Sequence, residues 1–247
     1  MKAMIFAAGL GTRLRPITDN RPKALVEVGG EPALHRVLRN LHDAGVDEVV
    51  VNVHHYSDQV IDYLNVNTPE EVRVDISDES DCLLDTGGGL LAARHYLDGE
   101  ESFFLHNADI ATDIDLSEMM QEHLRSGADV TLLVAPRESS RQLLFDEGGR
   151  MRGWTNIKTG EVRPADIDSE QFQMLAFGGI HVVSPKLFPL LEAYSSERIF
   201  SIVPFYVANC GELNIRAYVP QQPYRWFDIG KPESLRRADN EFNNNNK

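Results

Sequence analysis

Apolar positions along the chain change period from segment to segment, and the changes mark out alternating elements. Ala3–Ala8 is an unbroken apolar run of strand length. Pro32–Ala44 sets Leu34, Val37, Leu38 and Leu41 on one helical face, with Gly45 where a C-terminal cap falls. Glu48–Val53 predicts the next strand, and Ser57 the cap of a helix turning Val60, Ile61 and Leu64 inward. Val72–Ile76, Leu90–Leu97 and Ser102–Leu105 continue the alternation, followed by Leu116–Arg125 and Val130–Ala135. Repeated β-α-β units with strands this apolar predict an α/β, Rossmann-like fold. Its sheet is mostly parallel, with helices on both faces.

The pattern changes after about residue 135. Residues 143–183 carry short strands punctuated by Gly148-Gly149, Gly153, Gly160 and Gly178-Gly179, which predicts a small antiparallel insertion. Helical spacing returns at Lys186–Tyr194 and Ile199–Asn209. Leu213–Val219 reads as a strand and Pro232–Phe242 as a closing helix. The run Asn243–Asn246 predicts a frayed tail. The expectation is one domain over 1–247, with a nucleotide-binding half at about 1–135 and a sugar-phosphate-binding half at about 136–240. Ligands of open parallel sheets bind beyond the carboxyl ends of the strands, so the loops after the strands are the place to seek chemistry.

Composition narrows the classes. No apolar run reaches the length of a membrane span, and the N-terminal apolar stretch is too short for a signal-peptide core. Two cysteines, Cys82 and Cys210, give neither a disulfide framework nor metal-ligand spacing, and a cytoplasmic location is expected. A net charge of −14 argues against nucleic acid as a partner. The charge is uneven, however. Lys2, Arg13, Arg15, Arg21 and Lys23 face only Asp19 within the first 25 residues, which suits a small anionic ligand held at one place if it is not chance clustering.

That basic stretch contains Ala8-Gly9-Leu10-Gly11-Thr12-Arg13, then Pro22-Lys23. A dinucleotide fingerprint would need a glycine where Leu14 stands, and a Walker A loop needs Gly-Lys-Ser/Thr, whereas Gly230-Lys231 is followed by Pro232. Neither fits. What remains is a mere tight turn, or a loop whose glycines let backbone N–H groups approach phosphate oxygens while Arg13 and Lys23 neutralise a leaving pyrophosphate. Gly9-Leu10-Gly11-Thr12-Arg13-Leu14, with Pro16, Thr18 and Pro22-Lys23, resembles the signature of the sugar-1-phosphate nucleotidyltransferases. That resemblance implies transfer of a nucleotidyl group from a nucleoside triphosphate to a sugar 1-phosphate.

Under the resemblance, Asp109 in His106-Asn107-Ala108-Asp109 and Asp228 in Trp226-Phe227-Asp228-Ile229-Gly230 correspond to two Mg²⁺-ligand aspartates. The ion's preference for hard oxygen ligands agrees with one or two carboxylates. The lesser reading makes Asp109 a loop residue or helix cap and Asp228 a partner for Arg225. No histidine or thiol spacing points to zinc. Leu83–Gly89 resembles the base-recognition loop, with Thr86 and Gly87 as nucleotide contacts, Glu79 upstream and Asn52 at the end of the second strand. Asn156 and Gly178 are the implied sugar contacts, although Trp154–Lys158 departs from the family's Glu-Lys-Pro segment. Arg13, Lys23, Asp109 and Asp228 are then the catalytic set, and no β-helix repeat of an appended acyltransferase follows. The overall look is closest to N-acetylmuramate-1-phosphate uridylyltransferases, followed by mannose- or heptose-1-phosphate guanylyltransferases. Cytidylyl transfer to choline phosphate and a non-catalytic sugar-nucleotide sensor are the more distant readings.

Overall fold

The computed structural model describes residues 1–243. In chain order come β1 (Lys2–Phe6), a small ladder of β2 (Glu27–Val28) and β3 (Glu31–Pro32), α1 (Ala33–Asp43), β4 (Glu48–Val53), α2 (Ser57–Asn67) and β5 (Arg73–Asp78). Then follow α3 (Asp85–Ala92), α4 (Arg94–Leu97), β6 (Phe103–Asn107), β7 (Ile110–Thr112), α5 (Leu116–Ser126) and β8 (Val130–Ala135). The second half holds β9 (Arg141–Phe145), β10 (Met151–Asn156), β11 (Glu161–Arg163), β12 (Gln173–Val183), α6 (Phe188–Tyr194), α7 (Ile202–Asn209), β13 (Ile215–Tyr218), β14 (Trp226–Asp228) and α8 (Pro232–Asn243).

The central sheet runs β5-β4-β1-β6-β12-β8-β13, and every pairing is parallel except the two made by β12. Alternation along each strand divides the core between the two faces. Ile5, Val49 and Val51 pack with Leu34, Val37, Leu38 and Leu41 of α1 and Met119 of α5. Met4, Val50 and Leu105 pack with Leu90 of α3, Phe188 of α6 and Phe205 of α7. Helices therefore cover both faces, as the apolar strands predicted.

Local departures have local causes. The helix expected at Leu90–Leu97 starts earlier, at Asp85, and is interrupted at Ala93. Ser57 is the first residue of α2 and not its cap; Tyr56, at φ 58°, makes the turn instead. Gly45 does end α1, at φ 88° with its N–H on the His42 carbonyl at 2.8 Å. The helix expected from Ile199 begins at Ile202. Asn243 closes α8, and the rest of the expected frayed run, Asn244–Asn246, lies outside the described residues.

The insertion is only partly as expected. β9, β10 and β11 form an antiparallel meander, but β12 is an eleven-residue strand in the middle of the main sheet. Its register on β8 shifts between Phe177 and His181. Gly178 and Gly179 occupy that bulge. A Cβ on Gly178 would stand 2.8 Å from Leu133 Cγ, and Gly179 has φ 76°. The amino-terminal part of β12 thereby projects past the parallel strands and carries the meander on Gln173–Leu175.

Candidate active site

Parallel strands β1, β4, β6 and β8 end at one edge of the sheet, and four loops meet there. The loop after β1 turns at Gly11, whose φ of 65° and close contacts with Thr18 and Lys23 suit glycine alone. Thr18 Oγ1 donates to the Gly11 carbonyl at 2.8 Å and closes the turn. Lys23 then starts a one-turn 3-10 segment and is buried, with its ammonium donating to the Asp109 carboxylate.

Asp109 follows β6, and β7 starts directly after it. Because β14 pairs antiparallel with β7, with Asp228 opposite Ile110, and Ile229 N–H donates to the Asp109 carbonyl at 3.0 Å, two aspartates distant in sequence become neighbours. Gly230 lies between the charged groups. A methyl group there would be 2.6 Å from Arg13 Nη2, 2.7 Å from Asp228 Oδ1 and 3.0 Å from Lys23 Nζ. Arg13, Lys23, Asp109 and Asp228 thus converge, two cations with two carboxylates.

A buried amide–carboxylate pair supports this edge. Asn52 Oδ1 accepts from Ala7 N–H at 2.7 Å and Ala8 N–H at 3.3 Å, and its Nδ2 donates to Glu79 Oε1 at 2.7 Å. The other Glu79 oxygen accepts from Leu84 N–H at 2.9 Å. The glycine-rich loop and the loop before α3 are therefore tied through two side chains that are each 3% exposed. Asn52 serves the candidate site by holding the loop: its carbonyl oxygen takes up the Ala7 and Ala8 N–H groups.

A cleft of about 510 Å³ opens here, lined by Ala8, Gly9, Gly11, Thr12, Arg13, Lys23, Asn52, Thr86 and Asp109. Of the residues expected to hold a nucleotide, only Gly87 stands outside it. Its N–H and that of Gly88 donate to the Phe200 carbonyl at 2.8 and 3.1 Å, so neither main-chain group is free to read a base. The three glycines serve packing: a Cβ on Gly87 would meet the Phe200 ring at 2.4 Å, and one on Gly88 the Arg198 carbonyl oxygen at 2.1 Å. Thr86 Oγ1 accepts from Ile202 N–H at 3.0 Å, which anchors the first turn of α7.

A second cleft, about 1130 Å³, adjoins the first; Asp85 lines both, and Asp228 lines the second. Asn156 faces it, whereas Gly178 lies beneath, its carbonyl accepting from Trp226 Nε1 at 2.9 Å. Sequence reasoning did not find Arg137, whose guanidinium lies 3.4 Å over the Trp226 ring and donates to the Ala176 and Phe177 carbonyls. Burial lowers its pKa. Asp113, not Asp228, takes the Arg225 guanidinium, at 2.7 Å, and Asp115 caps α5. Asp228 is thereby left to the cleft.

An open α/β sheet with a cationic glycine loop and paired carboxylates at its carboxyl edge defines an enzyme that handles nucleotide phosphates. The chain belongs to the nucleotidyl transferase family, whose description it matches over residues 2–145, as one of the sugar-1-phosphate nucleotidyltransferases. It is 31% identical to the N-acetylmuramate alpha-1-phosphate uridylyltransferase of Caulobacter vibrioides, over 96% of this chain and 95% of that one. It is 27% identical to mannose-1-phosphate guanylyltransferase 1 of Arabidopsis thaliana over 94% of this chain, spanning 62% of that relative's length. The fold is shared with a UDP-glucose pyrophosphorylase complexed with UDP-glucose, at a TM-score of 0.79 and 19% identity over 99% and 98% of the two chains. Among the described residues no helix is long and apolar enough to cross a membrane.

Proposed function

We propose that this chain transfers the uridylyl group of UTP to N-acetylmuramate 1-phosphate in the cytoplasm, with Mg²⁺ as cofactor. The supporting observation is the convergence of Arg13, Lys23, Asp109 and Asp228 around Gly230, between a nucleotide-sized cleft and a larger one. The choice of substrates rests on the uridylyltransferase relatives, 31% and 30% identical over nearly the full length of both chains. On this reading residues 1–135 hold the triphosphate and residues 136–240 the sugar phosphate.

The donor set fits magnesium. Asp109 and Asp228 offer hard carboxylate oxygens side by side, and among the described residues no third acid, histidine or thiol joins them. Mg²⁺ is commonly held by one or two carboxylates, with water and phosphate oxygens as its other ligands. When bound, the ion supplies neutralisation of phosphate charge.

The residues do the rest. An oxygen of the sugar phosphate attacks the α-phosphorus, the bond to the bridging oxygen breaks, and pyrophosphate leaves. The attacking group is already an anion near neutral pH, so no side chain has to remove a proton. Arg13 and Lys23 stabilise charge on the phosphates, and a cation 4 Å from a phosphate oxygen is worth roughly 4 kcal/mol at an effective dielectric of about 20. Asp109 holds the Lys23 ammonium in place before the triphosphate arrives.

The test is pyrophosphate release with Mg²⁺ across four triphosphates and a panel of sugar 1-phosphates. Release confined to UTP with N-acetylmuramate 1-phosphate supports the proposal, and preference for GTP with mannose 1-phosphate overturns the substrate choice. Asp109→Asn is expected to lower kcat/KM at least about 100-fold; near-normal turnover at saturating Mg²⁺ would remove Asp109 from the metal site.

A further inference from the structure

The meander presents one ordered face to the larger cleft. In its ladder Arg141 lies opposite Asn156, and Asn156 opposite Glu161; two positions along, Leu143 lies opposite Trp154, and Trp154 opposite Arg163. Directly opposite residues share a face, and so do residues two apart. All six of these side chains line the cleft.

Their charges are not balanced. Arg163 is paired with Glu161 at 2.6 Å and lies 5.8 Å over the Trp154 ring, so those two groups neutralise each other beside an aromatic platform. The Arg141 guanidinium has no ion pair or side-chain hydrogen bond among the described residues, although it stands on a regular strand with Asn156 beside it. Of the cleft's remaining charges, Asp85 also lines the nucleotide cleft and Asp228 stands beside Gly230, which lines it. At about 1130 Å³ the space lies just above the roughly 300–1,000 Å³ usual for a small-molecule pocket, more than an undecorated hexose phosphate fills.

We infer that Arg141 reads a carboxylate on the sugar, so that this cleft selects a sugar 1-phosphate carrying a second anionic group distant from its phosphate. The inference rests on the proposed function and supplies its specificity-determining residue. The sugar ring lies over Trp154 with its 1-phosphate toward Asp228, Asn156 serves its neutral polar groups, and the guanidinium fork meets the two carboxylate oxygens. Such a cation is needed, because a second negative charge would otherwise enter the cleft of an acidic protein without a counter-charge of its own.

The test compares N-acetylmuramate 1-phosphate with N-acetylglucosamine 1-phosphate, which differ only by the lactyl ether that bears the carboxylate. In the unaltered enzyme the ratio of kcat/KM values should favour the carboxylate sugar at least about tenfold, consistent with one charged bidentate contact. In Arg141→Gln that ratio should collapse to within about threefold of unity, with the loss in KM for the carboxylate sugar, and Arg141→Lys should restore part of it. A ratio unchanged by Arg141→Gln overturns the inference, as does a native preference for the neutral sugar, and either leaves nucleotidyl transfer standing. Absence of turnover with every pair overturns the proposed function instead. Calorimetric titration of N-acetylmuramate 1-phosphate then decides the inference: equal affinity for the native and Arg141→Gln chains sinks it, and weaker binding by the variant supports it.

Discussion

Replacing Gly230 by alanine should separate catalysis from stability. The added methyl group would meet Arg13 Nη2 at 2.6 Å, Asp228 Oδ1 at 2.7 Å and Lys23 Nζ at 3.0 Å, all well inside the van der Waals separation of about 3.5 Å. Gly230 is not in the left-handed region, so alanine meets no backbone strain. The nearest, Arg13 Nη2, is the end of a long, exposed side chain that can swing toward solvent at little cost in folding energy, and the buried Lys23 ammonium, at 3.0 Å, has to give by only a few tenths of an ångström. Asp228 has a short side chain fixed by the Gly230 N–H at 2.7 Å, so it yields by rotating away from the cleft. Each retreat moves a group that, on the proposed mechanism, stands within bonding distance of phosphate or metal.

A displacement of about 1 Å at such a site costs roughly 100-fold in rate, equivalent to about 2.7 kcal/mol of transition-state stabilisation. The folding cost should stay near 0.5 kcal/mol, as for a substitution that only pushes aside mobile ends. In a chain of this size that is a melting shift of about 2 °C. Initial rates of pyrophosphate release and thermal melting followed by circular dichroism measure both quantities on one preparation. Turnover within threefold of the native enzyme, at an unshifted melting temperature, would refute the convergence of the three groups on Gly230. A large melting loss would refute the claim that the contacts are soft.

Gly88→Ala should behave in the opposite way, because its methyl group would lie 2.1 Å from the Arg198 carbonyl oxygen, where backbone has to move; urea unfolding should show a loss of about 2 kcal/mol or more. Asn52→Ala leaves Ala7 N–H and one oxygen of the buried Glu79 carboxylate, Oε1, without a partner, and should cost about 1–3 kcal/mol in urea unfolding while raising KM for the triphosphate. Acid should weaken the fold through three buried imidazoles. Burial lowers His106 and His123 to about 4 and His181 to about 3, so all three are neutral when folded yet take up protons at about 6.5 when unfolded. Their contribution is complete above pH 6.5 and is lost as pH falls toward 4, at up to about 4 kcal/mol per unit for three protons; urea unfolding energies flat from pH 7 to 5 would contradict this.

The first half of the fold was legible because each of its elements carries its own period. Ile5 and Met4 face opposite helix layers, and Leu34, Val37, Leu38 and Leu41 form one stripe, so the strand–helix alternation could be read without knowledge of contacts. β12 could not be read in that way. Its eleven residues pair with β6, β8 and β9, and its glycines record a bulge between neighbouring strands, not the end of an element. Gly178 is spaced like a turn residue in sequence, yet its small size answers to Leu133, forty-five positions away.

The candidate site divides along the same line. Lys23, Arg13 and Asp109 lie in loops directly after β1 and β6, where strand order alone places chemistry. Asp228 needs the β7–β14 ladder to reach them, a pairing between short segments about 118 residues apart, and only a family resemblance pointed to it beforehand. Gly87 shows the converse, since a glycine run that looks adapted to a ligand is consumed by Phe200. Arg141 stands between these cases. Arg141 and Leu143, like Trp154 and Asn156, are two positions apart and so share a face if extended, but that face has meaning only once β9, β10 and β11 lie side by side over the second cleft. Residues that bind through their own loop are therefore readable from local pattern, whereas those that select an acceptor depend on register between strands, which is set by the assembled sheet.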